Sequence, residues 1–347
     1  MRTRLTELAR VKYPIVQTGM GYVAGAKLTA ATANAGGLGI IASATMSLPQ
    51  LEAAINEVKE RTQAPFGVNL RADAEDANAR IDLMIARGVK VASFALAPKQ
   101  DMIKRLKDAG LIVIPSVGAK RHAEKVAQWG ADAVIVQGGE GGGHTGAVPT
   151  SLLVPQVVDT VDIPVVAAGG FFDGRGLVAA LAYGAVGIAM GTRFLLTSDS
   201  PVGEAVKALY LTKSLNDTVV TTNVDGVPHR VLRTAFVASL EKRKLIRAVR
   251  NGLKFRKISG LTMRQMVREG LAMRHGRDLT WSQILMAANT PMLLKAAMVD
   301  GRPDLGVMSA GQVVGVIDDL PSCAELIERI MTQAADRLGH LRDLASE

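Results

Sequence analysis

The 347-residue chain holds one cysteine, Cys323. A lone thiol excludes a disulfide framework and any cysteine-rich metal site. Its setting, DDLPSCAEL, reads as the first turn of a late helix, where a packing role is expected. Aromatic residues make up only 4% of the chain, too few for the stacking platforms that hold single-stranded nucleic acids. No uncharged apolar run reaches the roughly 18 residues of a membrane-spanning helix. The N-terminal stretch MRTRLTELARVKYPIV lacks the apolar core and small-residue cleavage site of a secretory signal. A cytoplasmic location is therefore expected, with no integral membrane segment. His, Asp and Glu nowhere show metal-ligand spacing along the chain, so no metal is expected.

Hydrophobic residues form 48% of the chain, against 21% charged, as in a soluble globular protein. The net charge of +9 is unevenly placed. Residues 230–277 carry 14 Lys and Arg against two Asp and Glu, which leaves the rest slightly acidic. Such a segment suits an anionic partner, although a solvated basic face would look the same.

Up to residue 195 short apolar runs alternate with amphipathic segments. The runs are PIVQT (14–18), LGIIA (38–42), FGVNL (66–70), VKVASFAL (89–96), LIVIPS (111–116), AVIVQ (133–137), PVVAAGG (164–170) and VGIAMG (186–191). Each is closed by Gly, Asn, Ser or Pro, as buried parallel strands are. Eight such strands with helical crossovers predict a (β/α)8 TIM barrel. An open doubly wound sheet is the alternative, but QTGMGYVAG and AGGLG only approximate its glycine fingerprint. Alternation stops near 195. The expected division is a barrel from 1–195 plus 310–347, with a mostly helical, basic insertion at 196–309 capping the mouth. Within it, TVVTTNVDGVPHRVL reads as an extended or hairpin element. PSCAELIERIMTQAADRLGHL reads as the last barrel helix.

Barrels place function at the C-terminal ends of their strands. Strands seven and eight end in Ala168-Gly169-Gly170 and Met190-Gly191-Thr192, small residues that let a phosphate reach main-chain N–H groups. Strand six runs into QGGEGGGHTG, where six of ten residues are glycine around His144. A flat ring could lie on that backbone with the imidazole at its edge. Histidine titrates near neutrality and suits general acid–base work. The other histidines lack this context. Glu140 is expected to serve loop structure.

The set PIVQTGMGYVAG, NAGGLGIIAS, PFGVNL, GADAVIVQGGEGGGHTG, IPVVAAGGFFDGRG and AMGTRFLLTSDS resembles the nitronate monooxygenase / 2-nitropropane dioxygenase family. Its members are FMN-binding (β/α)8 barrels and include a flavin-dependent enoyl-thioester reductase branch. The resemblance covers about residues 10–200. It implies FMN contacts from Met20, Gly21, Asn69, Gln137 and Gly143, phosphate contacts from Gly169, Gly170, Gly191 and Thr192, and catalysis by His144. Nitronate-oxidising members carry Q-x-P-M at the first strand end, whereas this chain has Gln17-Thr18-Gly19-Met20. That departure favours acyl thioesters. The C-terminal half, with VDGVPHRVLRT and SAGQVVGVIDDLPSC, is similar to actinobacterial acyl-CoA dehydrogenases of steroid catabolism.

The resemblance thus implies α,β-dehydrogenation, or the reverse reduction, of a bulky steroid-derived acyl-CoA. Nitronate oxidation with oxygen is the alternative, and a flavin-free barrel lyase is a more distant one. Arg230, Arg233, Lys254 and Arg256 are the candidates for the CoA phosphates. NAD(P) is a candidate electron partner, nucleic acid is not expected as a partner, and a homo-oligomer stays open.

Overall fold

The computed structural model describes residues 1–95, 98–242 and 281–346. Eight strands close into an all-parallel barrel. They are β1 (Ile15–Gln17), β2 (Leu38–Ala42), β3 (Phe66–Leu70), β4 (Val91–Ala95), β5 (Ile112–Val117), β6 (Val134–Gln137), β8 (Val165–Ala168) and β9 (Ile188–Met190). The eight expected strands are all present, and the (β/α)8 barrel is the observed fold.

Period-2 alternation explains how each strand serves two layers. In β2, Leu38 and Ile40 join the barrel interior with Val16, Val91, Ile114, Ile135 and Val166. Ile41 faces the other way, into the layer between strands and helices. The helix Arg4–Ala9, begun by a Thr3–Thr6 capping box, sends Leu5 and Ala9 into the interior cluster. It therefore plugs the N-terminal mouth and leaves the opposite mouth open.

The helix Cys323–Ser346 packs on the helices Gly174–Ala182 and Ala26–Asn34 and completes the outer ring. Cys323 sits fully buried in its first turn, as expected. Burial pushes its thiol up to about 12. Since the thiolate is the reactive form, Ellman's reagent at pH 8 is expected to leave the native protein unmodified. After denaturation it should titrate one thiol per chain. Rapid reaction of the native protein would contradict this burial.

A second sheet stands over the C-terminal mouth. Strands β10 (Thr218–Thr221) and β11 (His229–Leu232) form an antiparallel hairpin, the one expected in TVVTTNVDGVPHRVL. β11 also pairs with a two-residue strand, β7 (Gly143–His144), inside the glycine-rich loop. Val224 and Val231 of the hairpin share a small core with Val237, Leu293 and Val307. The helix Trp281–Met298 contributes Leu293 to that core.

Candidate active site

A cavity of about 320 Å³ opens at the C-terminal mouth, a size typical of small-molecule sites. Its floor is built from strand-end turns: Thr18–Gly21 after β1, Gln137 and Gly141–His144 after β6, Ala168–Phe171 after β8, and Gly191–Thr192 after β9. The helix Trp281–Met298 roofs it with the apolar Leu294 and Met298 beside the polar Thr290. Another hollow, lined by Gln100, Asp101, Lys104, Lys107, Trp129 and Gly130, lies on the outer helices. It gathers none of the strand-end turns.

Eight of the nine residues expected at the cofactor line this cavity: Met20, Gly21, Gln137, Gly143, Gly169, Gly170, Gly191 and Thr192. Asn69 does not. It is buried behind the β1 turn and donates from Nδ2 to Ser93 Oγ at 3.3 Å. A Cβ on Gly19 would stand 2.6 Å from Asn69 Cβ. This contact gives the glycine at position 19 a physical reason, because a proline ring there has no room while Asn69 keeps its place.

The glycine-rich loop serves two purposes. A Cβ on Gly142 would meet the main chain of Ala310 and Gly311 at 2.6 Å, so this glycine allows two backbones to pack against each other. Glu140 caps the helix Thr150–Val158, accepting from Thr150 N at 3.0 Å and Thr150 Oγ1 at 2.6 Å. It is loop structure, as expected. Gln137 Nε2 donates to the carbonyls of His144 at 2.9 Å and Gly142 at 3.3 Å. That clamp sets the backbone from which the imidazole projects.

His144 lines the cavity with its side chain half exposed. Its Nε2 lies 2.7 Å from Asp225 Oδ2. Asp225 is on the hairpin turn and is 4% exposed. Its other oxygen, Oδ1, accepts from Val227 N at 3.2 Å. His144 and His229 are direct cross-strand partners in the β7–β11 pairing, with ring centroids 4.7 Å apart. His229 Nδ1 stands 3.5 Å from the same Asp225 Oδ2. That is beyond a well-formed hydrogen bond, so the attraction is electrostatic. On its other side, His229 Nε2 lies 2.9 Å from Ser309 Oγ. Ser309 again lines the cavity.

Two opposing effects act on Asp225. Burial pushes its carboxyl up, but the hydrogen bond from His144 and the electrostatic pull of the His229 imidazole outweigh this and hold it well below the usual carboxylate range. The group is therefore ionised. Burial pushes the His229 imidazole down, more than Asp225 raises it. A hydrogen bond to a charged group is worth about 1.5–3 kcal/mol, so the His144–Asp225 contact is a substantial anchor.

Asp225, His229 and Ser309 stand out in no motif of the sequence. The hint was local: Asp225-Gly226 marks a hairpin turn, and Asp225 and His229 are four residues apart. Their meeting with His144 depends on a strand of two residues, too short to carry a periodic signal. The donor atoms of His144, Asp225 and His229 fall within 4.8 Å of one another, a grouping that chain spacing did not show. Zinc bonds of about 2.0–2.2 Å in tetrahedral array set donor atoms about 3.3–3.5 Å apart. His144 and Asp225 stand closer than that, as hydrogen-bond partners.

The basic candidates separate. Arg230 is turned inward, and its Nε and Nη2 donate to the Gly139 carbonyl at 3.2 and 2.8 Å. Its Nη1 donates to Thr218 Oγ1 at 3.0 Å. It ties β11 to the glycine-rich loop. Arg233 is exposed. Lys254 and Arg256 lie outside the described residues.

A model of the nitronate monooxygenase family matches residues 2–83 and 76–333 of this chain. A relative in Mycobacterium tuberculosis (strain ATCC 25618 / H37Rv), named (3aS,4S,5R,7aS)-5-hydroxy-7a-methyl-1-oxo-octahydro-1H-indene-4-carboxyl-CoA dehydrogenase, is 65% identical over 345 residues, covering 97% of each chain. A relative of the same name in Rhodococcus jostii (strain RHA1) is 62% identical over 349 residues, covering 99% of each. Among solved structures, FabK from Thermotoga maritima superposes with a TM-score of 0.83 at 35% identity over 99% of both chains. With its sequence matched nearly end to end and its barrel shared, the chain belongs to the nitronate monooxygenase family and is an oxidoreductase.

Proposed function

We propose that this protein is an FMN-dependent dehydrogenase of a bulky acyl-CoA thioester, of the bicyclic indene-carboxyl-CoA type named for its relatives. The observation that carries this reading is His144, half exposed in the cavity and bonded to a buried carboxylate. Family membership implies the flavin, and the site suits it. Consecutive glycines Gly169 and Gly170 have φ of +100° and +82°, which bares main chain to the cavity, as Gly191 does one strand over. Gly169, Gly170, Gly191 and Thr192 would hold the phosphate. Met20, Gly21, Gln137 and Gly143 would face the ring.

When bound, FMN supplies the two-electron acceptor for the β-hydride. The protein's own task is the proton. A thioester acidifies its α-carbon, and His144 takes the α-proton onto its free ring nitrogen. Asp225 stabilises the resulting imidazolium. The apolar roof of Leu294 and Met298 excludes water and suits a hydrocarbon ring system. Exposed Arg233, together with Lys254 and Arg256, is proposed for the CoA phosphates, and NAD(P) for the electron partner.

An anaerobic stopped-flow experiment tests the reading. A bicyclic carboxyl-CoA thioester is expected to bleach the bound flavin without oxygen, and the corresponding free acid is not. Oxygen-consuming turnover of alkyl nitronates with no response to any CoA thioester would overturn it. A colourless protein that takes up no FMN would also do so.

A further inference from the structure

The cavity wall holds a chain of four polar side chains whose two ends are both lining residues: His144, Asp225, His229 and Ser309. His144 carries the proton and Asp225 stabilises the imidazolium, which leaves His229 and Ser309, and the resting tautomer of His144, without an account. The two middle members are buried, at 4% and 3% exposure, where polar groups are costly unless they are paired.

We propose that Asp225 is a positioning residue that holds His144 in the Nε2–H tautomer, so that Nδ1 is the atom that exchanges the substrate proton, and that His229 seated on Ser309 holds Asp225 in register. This rests on the reading of His144 as the base.

An ionised carboxylate only accepts. Asp225 Oδ2 lies 2.7 Å from His144 Nε2, so Nε2 must carry the hydrogen. The lone pair of the neutral ring is then on Nδ1. Without the carboxylate the two tautomers interconvert, and the reactive nitrogen is undefined. Asp225 itself is held from two sides. Val227 N fixes Oδ1 at 3.2 Å, and the turn is tied to β7 through Thr145 N and the Pro228 carbonyl at 3.1 Å.

His229 completes the seat. Its Nδ1 finds no well-formed hydrogen bond among the described residues, and it faces the carboxylate at 3.5 Å. Only an N–H is favourable opposite a negative oxygen at that range. Nε2 is then the acceptor, and Ser309 Oγ donates to it at 2.9 Å. The carboxylate thus sets the tautomer of His229 and the Ser309 hydroxyl rotates to suit it, and the neutral ring leaves the negative charge of Asp225 for His144.

The experiment uses the FMN-loaded protein labelled with [15N]histidine, with the His144 signals assigned by their loss in His144→Gln. The wild type is expected to show His144 as the Nε2–H tautomer. In Asp225→Asn this signature should shift toward Nδ1–H, because an amide can donate to Nε2. Turnover should fall about 10²–10⁴-fold with KM changed no more than a few-fold, and exchange of the thioester α-proton with D2O should fall in step. Asp225→Glu, which restores a carboxylate, should recover part of the exchange rate and the Nε2–H signature.

A wild-type His144 found as Nδ1–H would overturn the proposal, and this holds even where Asp225→Asn fails to fold. So would an Asp225→Asn protein with wild-type exchange, or one equivalent of tightly held transition metal on the wild type. If His144→Gln exchanges the α-proton at the wild-type rate, the base assignment itself fails. If His144→Gln is inactive while Asp225→Asn is not, only the positioning role fails.

Discussion

His144→Gln is expected to fold, to keep its flavin and to lose turnover by about 10²–10⁴-fold, the usual worth of general acid–base catalysis. Glutamine is the informative replacement. Its amide can still donate to Asp225 Oδ2, which lies 2.7 Å from the imidazole in the native site. Alanine would instead strand a buried, ionised carboxylate, at a cost of about 1–3 kcal/mol or more, and mix a folding defect with a chemical one. Steady-state kinetics on the acyl-CoA, read beside flavin absorbance and the thermal midpoint, separate the two. A flavin-loaded His144→Gln protein with wild-type kcat would exclude the imidazole from proton transfer.

Gly169→Ala is expected to weaken FMN binding by about tenfold or more while leaving the barrel folded. Two costs coincide at this position. Its φ of +100° lies where side chains are strained, which costs about 1–3 kcal/mol. The added Cβ would also stand 2.9 Å from Thr150 Oγ1 and 3.0 Å from the Gly138 carbonyl. Both neighbours are constrained, since Thr150 is held by Glu140 and by the Gly169 carbonyl at 3.1 Å. Relief must therefore come from the turn itself, which moves the N–H groups expected to meet the phosphate. About 1.4 kcal/mol corresponds to each tenfold loss of affinity. Titration of stripped protein with FMN, followed by fluorescence quenching, measures it. Gly301→Ala is the control: that glycine also has positive φ, +65°, but has open space around it and is absent from the cavity lining. Equal affinity of Gly169→Ala and wild type would remove this turn from the phosphate site.

The two experiments probe different kinds of residue, and the sequence announced them differently. Gly169 and Gly170 end the apolar run PVVAAGG, and in a parallel barrel the end of such a run is a position in space. The same holds for Met20, Gly21, Gln137 and Gly191, whose places at the mouth follow from strand order alone. His144 was legible because it sits seven residues past β6 in a loop with few competing side chains. Arg230 shows the opposite case. A count of basic residues could not tell a guanidinium offered to solvent from one turned onto the Gly139 carbonyl. Asn69 likewise ends a strand yet is held behind Gly19 and against Ser93.

By itself the sequence determined the barrel, the mouth where its strand ends gather and the place of His144 beside them. Each follows from contacts between near neighbours in the chain, whose alternation and turn residues are local properties. The tertiary structure alone decided that Asp225 and His229 meet His144, more than 80 residues upstream. That meeting depends on a hairpin docking against a strand of two residues, and the pairing energy that selects it lies between segments that carry no mark of each other.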